Sequence, residues 1–252
     1  MYLSLALRLC LNNDKILSIL NKNCKRNKIL SLIYGLINVI DFKIINFYSK
    51  NTSIIVLSNH YRNLIKSKFK NRIEVFPNFI CGEIKKIEIK KRNKIIFVGR
   101  NNGSKGFEKF IELAKKFRHE KFIVVGNFTN DVALNNVEYL GWKSKNEIFE
   151  LFLDSKLGIF FNEAPETFGI APLEAITHGT PVLLSSIYSF KEYYSKIPFC
   201  KVLDDLSVLS IIKELDSFLK LYDKKYHEIH SSILKSSLNK NFKLTVKSKL
   251  NV

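Results

Sequence analysis

Glu166 and Glu174 stand at the two ends of Glu-Thr-Phe-Gly-Ile-Ala-Pro-Leu-Glu, and Ala175-Ile176-Thr177-His178-Gly179-Thr180-Pro181-Val182 follows at once. A carboxylate can accept two hydroxyl hydrogen bonds together, which is what a ribose or sugar diol asks of its site. Gly169, with Phe168 and Ile170 beside it, would add backbone N–H groups at a helix start. Upstream lies a basic counterpart, Val98-Gly99-Arg100-Asn101-Asn102-Gly103-Ser104-Lys105-Gly106. Its glycines let the backbone come close to a bulky anion. A helix beginning there would turn free N–H groups and a partial positive charge toward that anion, and Arg100 and Lys105 add two full charges.

Each constellation also has a plainer reading. The basic loop is neither the dinucleotide fingerprint G-x-G-x-x-G nor a Walker A loop, which needs Gly-Lys-Ser/Thr. A solvated strand-to-helix connection with two surface cations has the same pattern. Glu166 and Glu174 would look no different if they only complemented a helix dipole or faced solvent. Together, however, the two constellations suit a ligand with a diphosphate at its centre and hydroxyls at both ends. Nucleotide sugars have that shape. A departing nucleoside diphosphate gains negative charge as its glycosidic bond breaks, so cations placed in advance lower the barrier.

The elements that must position these residues are legible in the second half of the chain, where strand and helix signals alternate at short spacing, as in parallel βαβ units. Lys94 to Gly99 reads as a buried strand. Phe107 to Phe117 has helical spacing, with Phe107, Phe110, Ile111 and Ala114 on one face. Phe122 to Gly126 and Val137 to Leu140 are further strands. Ser144 can cap a helix running through Phe152, with Glu147 closing a capping box. Leu157 to Phe161 is a strand, and Ile170 to His178 is a helix with Pro172 in its first turn. That places Glu166 in the loop before the helix and Glu174 inside it, at the carboxyl end of a strand, the usual ligand side of an open α/β sheet. Gly179 ends the helix, Pro181 to Leu184 opens another strand, and helix is expected from Leu206 to about Leu221 and onward. In the first half, Ser53 to Ser58 reads as a strand, His60 to Phe69 as a helix and Ile73 to Phe76 as a strand. Pro77-Asn78 is the domain junction, and helical segments with at most one more strand precede Ser53.

Composition bounds the function classes. The 252 residues carry 41 basic and 23 acidic side chains, a formal charge of +18, with 46% hydrophobic residues, 20 Phe and 10 Tyr. The charge favours polyanions such as nucleic acid, anionic headgroups or phosphorylated substrates, although lysines scattered along a Lys-, Asn- and Ile-rich chain also fit a compositional bias. No stretch alternates base-stacking aromatics with arginines and no zinc-finger or RNP-like pattern occurs, so specific nucleic-acid binding is not expected. Cys10, Cys24, Cys81 and Cys200 form no C-x-x-C, which points away from disulfides and zinc and toward a reducing cytoplasm. The start, broken by Arg8, does not read as a signal peptide. Asn38, Asp41 and Lys43 make the apolar stretch Ile29 to Tyr48 a packed or interfacial helix rather than a membrane span.

Other residues keep two readings each. His178, before Gly179, reads as a cation at a helix C-terminus in preference to a catalytic base. His60 begins a helix or reaches toward a cleft. Trp142, after Leu140-Gly141, stacks on a nucleobase or simply packs. The basic, apolar segment 236–252 is a tail or helix suited to an anionic lipid surface.

The motifs, in this order and spacing, resemble the donor half of the retaining glycosyltransferases of family 4, which are built on the GT-B fold. The matching residues are Phe97-Val98-Gly99-Arg100 with Lys105-Gly106, then Val124-Val125-Gly126, Tyr139-Leu140-Gly141, Glu166 to Glu174, and Gly179 to Val182. Val75-Phe76-Pro77-Asn78 looks like the Pro-Asn-Gly element that opens the donor domain, with Phe79 in place of its Gly. The likeness runs over roughly residues 54–205. It implies an α/β, GT-B-like fold, with one complete Rossmann-like domain over 78–235, a shortened N-terminal, acceptor-side α/β portion over 1–77, and a basic tail or helix over 236–252. It implies that Arg100 and Lys105 grip the donor diphosphate and that Glu166 lies by the transferred sugar. Glu174 would hold the ribose, while Gly99, Phe168, Gly169 and Ile170 would line the donor. No metal or other cofactor is implied, because cations and helix dipoles take that part. After Pro181-Val182 the family's Gly-Gly-x-x-Glu is replaced by Ser185 to Glu192.

The function expected from this reading is a retaining, hexosyltransferase-like enzyme. It would move a sugar from a UDP- or GDP-sugar to a cell-surface glycan, such as polysaccharide or lipopolysaccharide, or to its lipid-linked carrier. It would work in the cytoplasm, peripherally at the inner face of the membrane. The alternative is a donor-binding module without turnover: half of a split enzyme, or a truncated gene product.

Overall fold

The computed structural model describes residues 53–67, 69, 72–78, 80, 87–101, 103–128, 134–164 and 166–235. The helical segments expected before Ser53 and the tail expected after Lys235 lie outside these residues. The chain divides into two compact units between Phe76 and Pro77.

In the first unit, β1 (Ile54–Val56) and β2 (Ile73–Val75) pair in parallel, Ile54 opposite Ile73 and Val56 opposite Val75, and α1 (Asn59–Ile65) connects them. Ser58 starts the helix: its side-chain oxygen accepts the Tyr61 N–H at 3.3 Å, meeting one of the donors a helix start leaves over. Val56, Tyr61, Ile65 and Phe69 bury together. His60 is thus the second residue of a helix capped by Ser58, with its ring edge-on to Tyr61.

The second unit holds a six-stranded parallel sheet. In chain order its elements are β3 (Lys94–Val98), α2 (Phe107–Lys116), β4 (Lys121–Val125), β5 (Val137–Tyr139), α3 (Lys145–Leu153), β6 (Ser155–Phe160), α4 (Ile170–Thr177), β7 (Val182–Ser185), α5 (Tyr188–Tyr194), β8 (Lys201–Leu203) and α6 (Val208–Lys235). The spatial order is β5-β4-β3-β6-β7-β8, and every neighbouring pair is parallel. This is a doubly wound arrangement that reverses direction between β3 and β6, and its ligand crevice opens at the carboxyl ends of those two strands.

The period of two along each strand sends alternate residues to opposite layers. Ile95, Phe97, Phe122, Val124, Leu157 and Ile159 pack under α2 and the first half of α6. Ile96, Ile123, Val125, Phe160, Val182 and Leu184 pack with residues of α4, α5 and the second half of α6. With both faces buried, the strands read as continuous apolar runs. The helix α6 serves both layers, and its path breaks at Lys225 (φ −130°, ψ 21°). Ile211, Leu215 and Leu219 lie in one layer, and Tyr222, Ile229 and Ile233 in the other.

Most element boundaries fall within a residue or two of those expected, but α1 ends at Ile65, four residues before the expected Phe69; the Ser144–Glu147 capping box forms as read. The sequence reading did not anticipate α5 or β8. No helix among the described residues is long and apolar enough to cross a membrane.

Candidate active site

The crevice is formed by two loops that each end in a glycine at a helix start. After β3 the chain runs through Gly99 and Arg100 to Lys105 and Gly106, and α2 begins. After β6 it runs through Asn162 and Glu166 to Gly169, and α4 begins. Gly106 has φ +70°, and a Cβ there would stand 2.3 Å from the Phe161 carbonyl oxygen, so the start of α2 can approach the end of β6 only without a side chain. Gly169 has φ +86°, and a Cβ would meet the Phe190 ring at 2.4 Å. The loops are joined directly: the Glu163 N–H donates to the Ser104 carbonyl at 2.9 Å, and Lys109 pairs with Glu163. Both helix N-termini therefore converge on the switch point, where their orphan N–H groups favour an anion.

Lys105 and Glu166, read from sequence motifs about sixty residues apart, meet here. Lys105 Nζ lies 2.6 Å from Glu166 Oε2. Asn162 Nδ2 donates to the same oxygen at 3.0 Å. The Asn162 carbonyl accepts from Ser185 Oγ at 2.8 Å, and the Glu166 carbonyl accepts from Ser189 Oγ at 2.7 Å. Arg100 is exposed and makes no hydrogen bond or ion pair with a described residue. Asn101 N–H donates to Asn127 Oδ1 at 2.9 Å, tying the β3 loop to the β4 loop. Phe168 is fully buried beside Tyr193, so its backbone, not its ring, is what it can offer a ligand. Ile170 is 55% exposed at the start of α4. Gly169 is held from behind, its carbonyl accepting from Tyr194 OH at 2.8 Å.

Glu174 lies one turn further along the helix face that carries Ile170. It is half-buried, and burial raises the pKa of its carboxyl against the opposing pull of Lys145 at the start of α3. Trp142, just before that helix, is 66% exposed. This exposure sets aside the reading of Trp142 as an interior packing residue.

His178 requires a correction. It is buried, its ring stacks on Phe149 at 4.4 Å, and Nδ1 lies 2.7 Å from the Glu174 carbonyl. Burial, with Arg92 adding to it, lowers its pKa. The residue is therefore a neutral donor at the end of α4, not the helix-end cation expected from its position.

Arg92, Asn162, Ser189 and Tyr194 were not anticipated. Arg92, Ser189 and Tyr194 act across the fold on backbone carbonyls, and Asn162 acts within its own loop on the Glu166 carboxylate; neither periodicity nor a local motif marks such residues. Arg92 is 3% exposed. Its guanidinium donates to the carbonyls of Phe152 and His178, each at 3.1 Å, and to Thr180 Oγ1 at 3.0 Å, clamping the turn after α4. Desolvation brings its pKa down to about 10, which leaves it charged at neutral pH. Among the described residues no group of three or more His, Cys, Asp or Glu gathers as a metal site.

The model of the family described as glycosyl transferases group 1 matches residues 82–229, more than half of the chain. An uncharacterized 41.2 kDa protein in the cps region of Klebsiella pneumoniae is 28% identical over 167 residues, 58% of this chain and 46% of that protein. The chain thus spans about half the length of that curated relative. Among solved structures, a mutant of S. aureus TarM in complex with fondaparinux, alpha-GlcNAc-glycerol and UDP has a TM-score of 0.68 at 17% identity, covering 84% of this chain and 45% of TarM. Anabaena HepE in complex with UDP and glucose gives 0.64 at 15% identity, covering 83% of this chain and 67% of HepE. WaaG, a glycosyltransferase involved in lipopolysaccharide biosynthesis, gives 0.62 at 20% identity, covering 76% of this chain and 62% of WaaG. These are likenesses of fold, and they agree with the GT-B-like α/β architecture.

Proposed function

The chain belongs to the glycosyl transferases group 1, and from that premise we propose that it transfers a sugar from a UDP- or GDP-sugar to a glycan or lipid-linked acceptor, with retention at the sugar carbon, as in family 4. The observation that carries the reading is the meeting of Lys105 and Glu166 at the switch point, between the starts of α2 and α4. Arg100, Lys105 and the helix N-termini hold the diphosphate and take up the charge that develops on it as the glycosidic bond breaks. Glu166 accepts from the hydroxyls of the transferred sugar, Glu174 accepts from the ribose, and Gly99, Gly169 and the backbone of Phe168 and Ile170 line the donor. The acceptor hydroxyl attacks on the face that the diphosphate leaves. That TarM and HepE were crystallised with UDP supports a nucleotide donor in this fold.

The reading assigns the positive potential to protein groups, with no metal. It places the chain at the cytoplasmic face of a membrane, with the formal charge of +18 toward anionic lipid.

Calorimetric titration with UDP, GDP and their sugar conjugates, beside Arg100→Ala and Glu174→Ala, tests the donor site. Each lost charge-assisted contact is expected to cost about 1.5–3 kcal/mol, roughly 10- to 150-fold in affinity. Binding of one nucleotide that survives EDTA and weakens in both variants is the expected result. Failure of every nucleotide to bind would remove the reading. Binding with no transfer to any glycan or lipid-linked acceptor would favour a donor-binding module, the reading to which the replacement of Gly-Gly-x-x-Glu by Ser185 to Glu192 also points.

A further inference from the structure

Lys105 Nζ, the cation a diphosphate would seek, already holds Glu166 Oε2 at 2.6 Å. The carboxylate does not depend on Lys105 for its position. Asn162 Nδ2 donates to it at 3.0 Å, Asn162 is itself fixed through Ser185, and the Glu166 backbone is fixed through Ser189. About a quarter of each side chain is exposed, 28% for Lys105 and 26% for Glu166. The pair is therefore partly desolvated, and separating it without replacement is more costly than at an open surface.

An anion entering between the starts of α2 and α4 meets opposite charges in one place. It is drawn by Lys105, Arg100 and the helix ends, and repelled by a carboxylate that Asn162 holds in place. We propose that Glu166 is an internal counter-ion that disfavours a bare nucleoside diphosphate and admits the sugar-bearing one, an inference that rests on the donor-site reading above. When the sugar is present, its hydroxyl donates to the Glu166 oxygen as Lys105 turns to the diphosphate, and both groups keep a partner. When the sugar is absent, the diphosphate takes Lys105 and leaves the carboxylate facing a second anion with no new donor. Like charges brought together in this way are a device for rejecting a ligand as much as for binding one. After transfer, the return of Lys105 to Glu166 helps the spent nucleotide leave.

The test is titration of UDP, GDP, UDP-glucose and GDP-mannose into the parent chain, Glu166→Gln and Lys105→Ala. Glutamine keeps the shape and the hydrogen bond to Asn162 but removes the charge. Glu166→Gln is expected to tighten the free diphosphate that binds by about tenfold while leaving its sugar conjugate unchanged or weaker. Glu166→Ala serves as the second variant and should act the same way on the free diphosphate. Lys105→Ala should weaken both ligands. If neither Glu166 variant tightens the free diphosphate, or if both ligands tighten equally, the counter-ion inference is overturned while the donor site stands. If no nucleotide binds the parent chain, or Lys105→Ala changes nothing, the donor-site reading fails and the inference fails with it.

Discussion

Glu174 shares a face of α4 with Ile170 and His178, and burial raises its carboxyl pKa despite the nearby Lys145. A folded-state value above the unfolded one means that the folded chain binds more protons over the interval between them. Stability therefore falls as pH rises through the ordinary carboxylate range toward the raised value, and the ionised group is a cost to the fold at neutral pH. Glu174→Gln removes that cost while keeping the side chain's length. Its Tm at neutral pH is expected to equal or exceed that of the parent, while nucleotide affinity drops about tenfold or more because a neutral amide accepts the ribose hydroxyl less strongly. Thermal unfolding and titration on the same samples check both halves. A lowered Tm would show that the carboxylate is structural, and unchanged affinity would take it out of the donor site.

The crevice is set by how closely two elements approach, and Gly106 is where that approach is tightest. Gly106→Ala would force a Cβ against the Phe161 carbonyl at 2.3 Å at φ +70°. Gly103, in the same loop at φ +69°, has nothing within 4 Å of its Cβ position. Gly103→Ala should therefore cost only the left-handed backbone, about 1 kcal/mol. Gly106→Ala adds the displacement of α2 from β6, for a loss of about 2 kcal/mol or more together with nucleotide binding. Urea unfolding of the two variants separates the effects, and equal costs would mean that the close approach contributes nothing. The same contrast explains what the sequence made legible. β3, β4, α2, α4 and the capping box at Ser144 announce themselves through apolar runs, four-residue spacing and side-chain oxygens at helix starts, all of them local signals. By contrast, α5 begins after Ile187, which has no side-chain oxygen to cap it. Tertiary contacts fix it in place: Phe190 and Tyr194 are buried, and the Tyr194 hydroxyl donates to Gly169. The three residues of β8 owe their extended form to pairing with β7. Glu166 and Lys105 could each be placed at a strand-to-helix junction from sequence, but their contact follows from the reversal of strand order between β3 and β6, which no local window contains.

Within the second unit, a buried polar chain ties the second half of α6 to the segment before β3 and to the turn after α4. The Arg92 N–H donates to the Tyr222 hydroxyl at 2.9 Å, which in turn faces His230 Nε2 at 2.9 Å, and His230 Nδ1 lies 2.7 Å from the Gly179 carbonyl. Nδ1–H donates to Gly179, and with the ring neutral the Tyr222 hydroxyl gives its hydrogen to Nε2. Burial, with Arg92 adding to it and His227 contributing, brings the His230 pKa down to about 4. A histidine with a depressed folded pKa binds its proton first in the unfolded chain. Stability is thus fully present above about pH 6.5 and declines as pH falls toward about 4, by on the order of 3 kcal/mol across that window. His230→Gln can still donate an amide N–H toward Gly179 but cannot be protonated, so its unfolding free energy should decline less between those limits. Urea unfolding of both proteins at several pH values measures the two slopes, and parallel slopes would show that His230 is not the group responsible. The location gives the effect its reach. Arg92 and His230 together hold His178, Gly179 and Thr180, the turn that closes α4, whose opposite end forms part of the proposed donor site. Protonating His230 places a second buried cation beside Arg92 and removes the acceptor of the Tyr222 hydroxyl, which strains that turn. Acid should therefore weaken nucleotide binding ahead of global unfolding in the parent chain. In His230→Gln, what remains of the acid loss in binding should follow the raised pKa of Glu174.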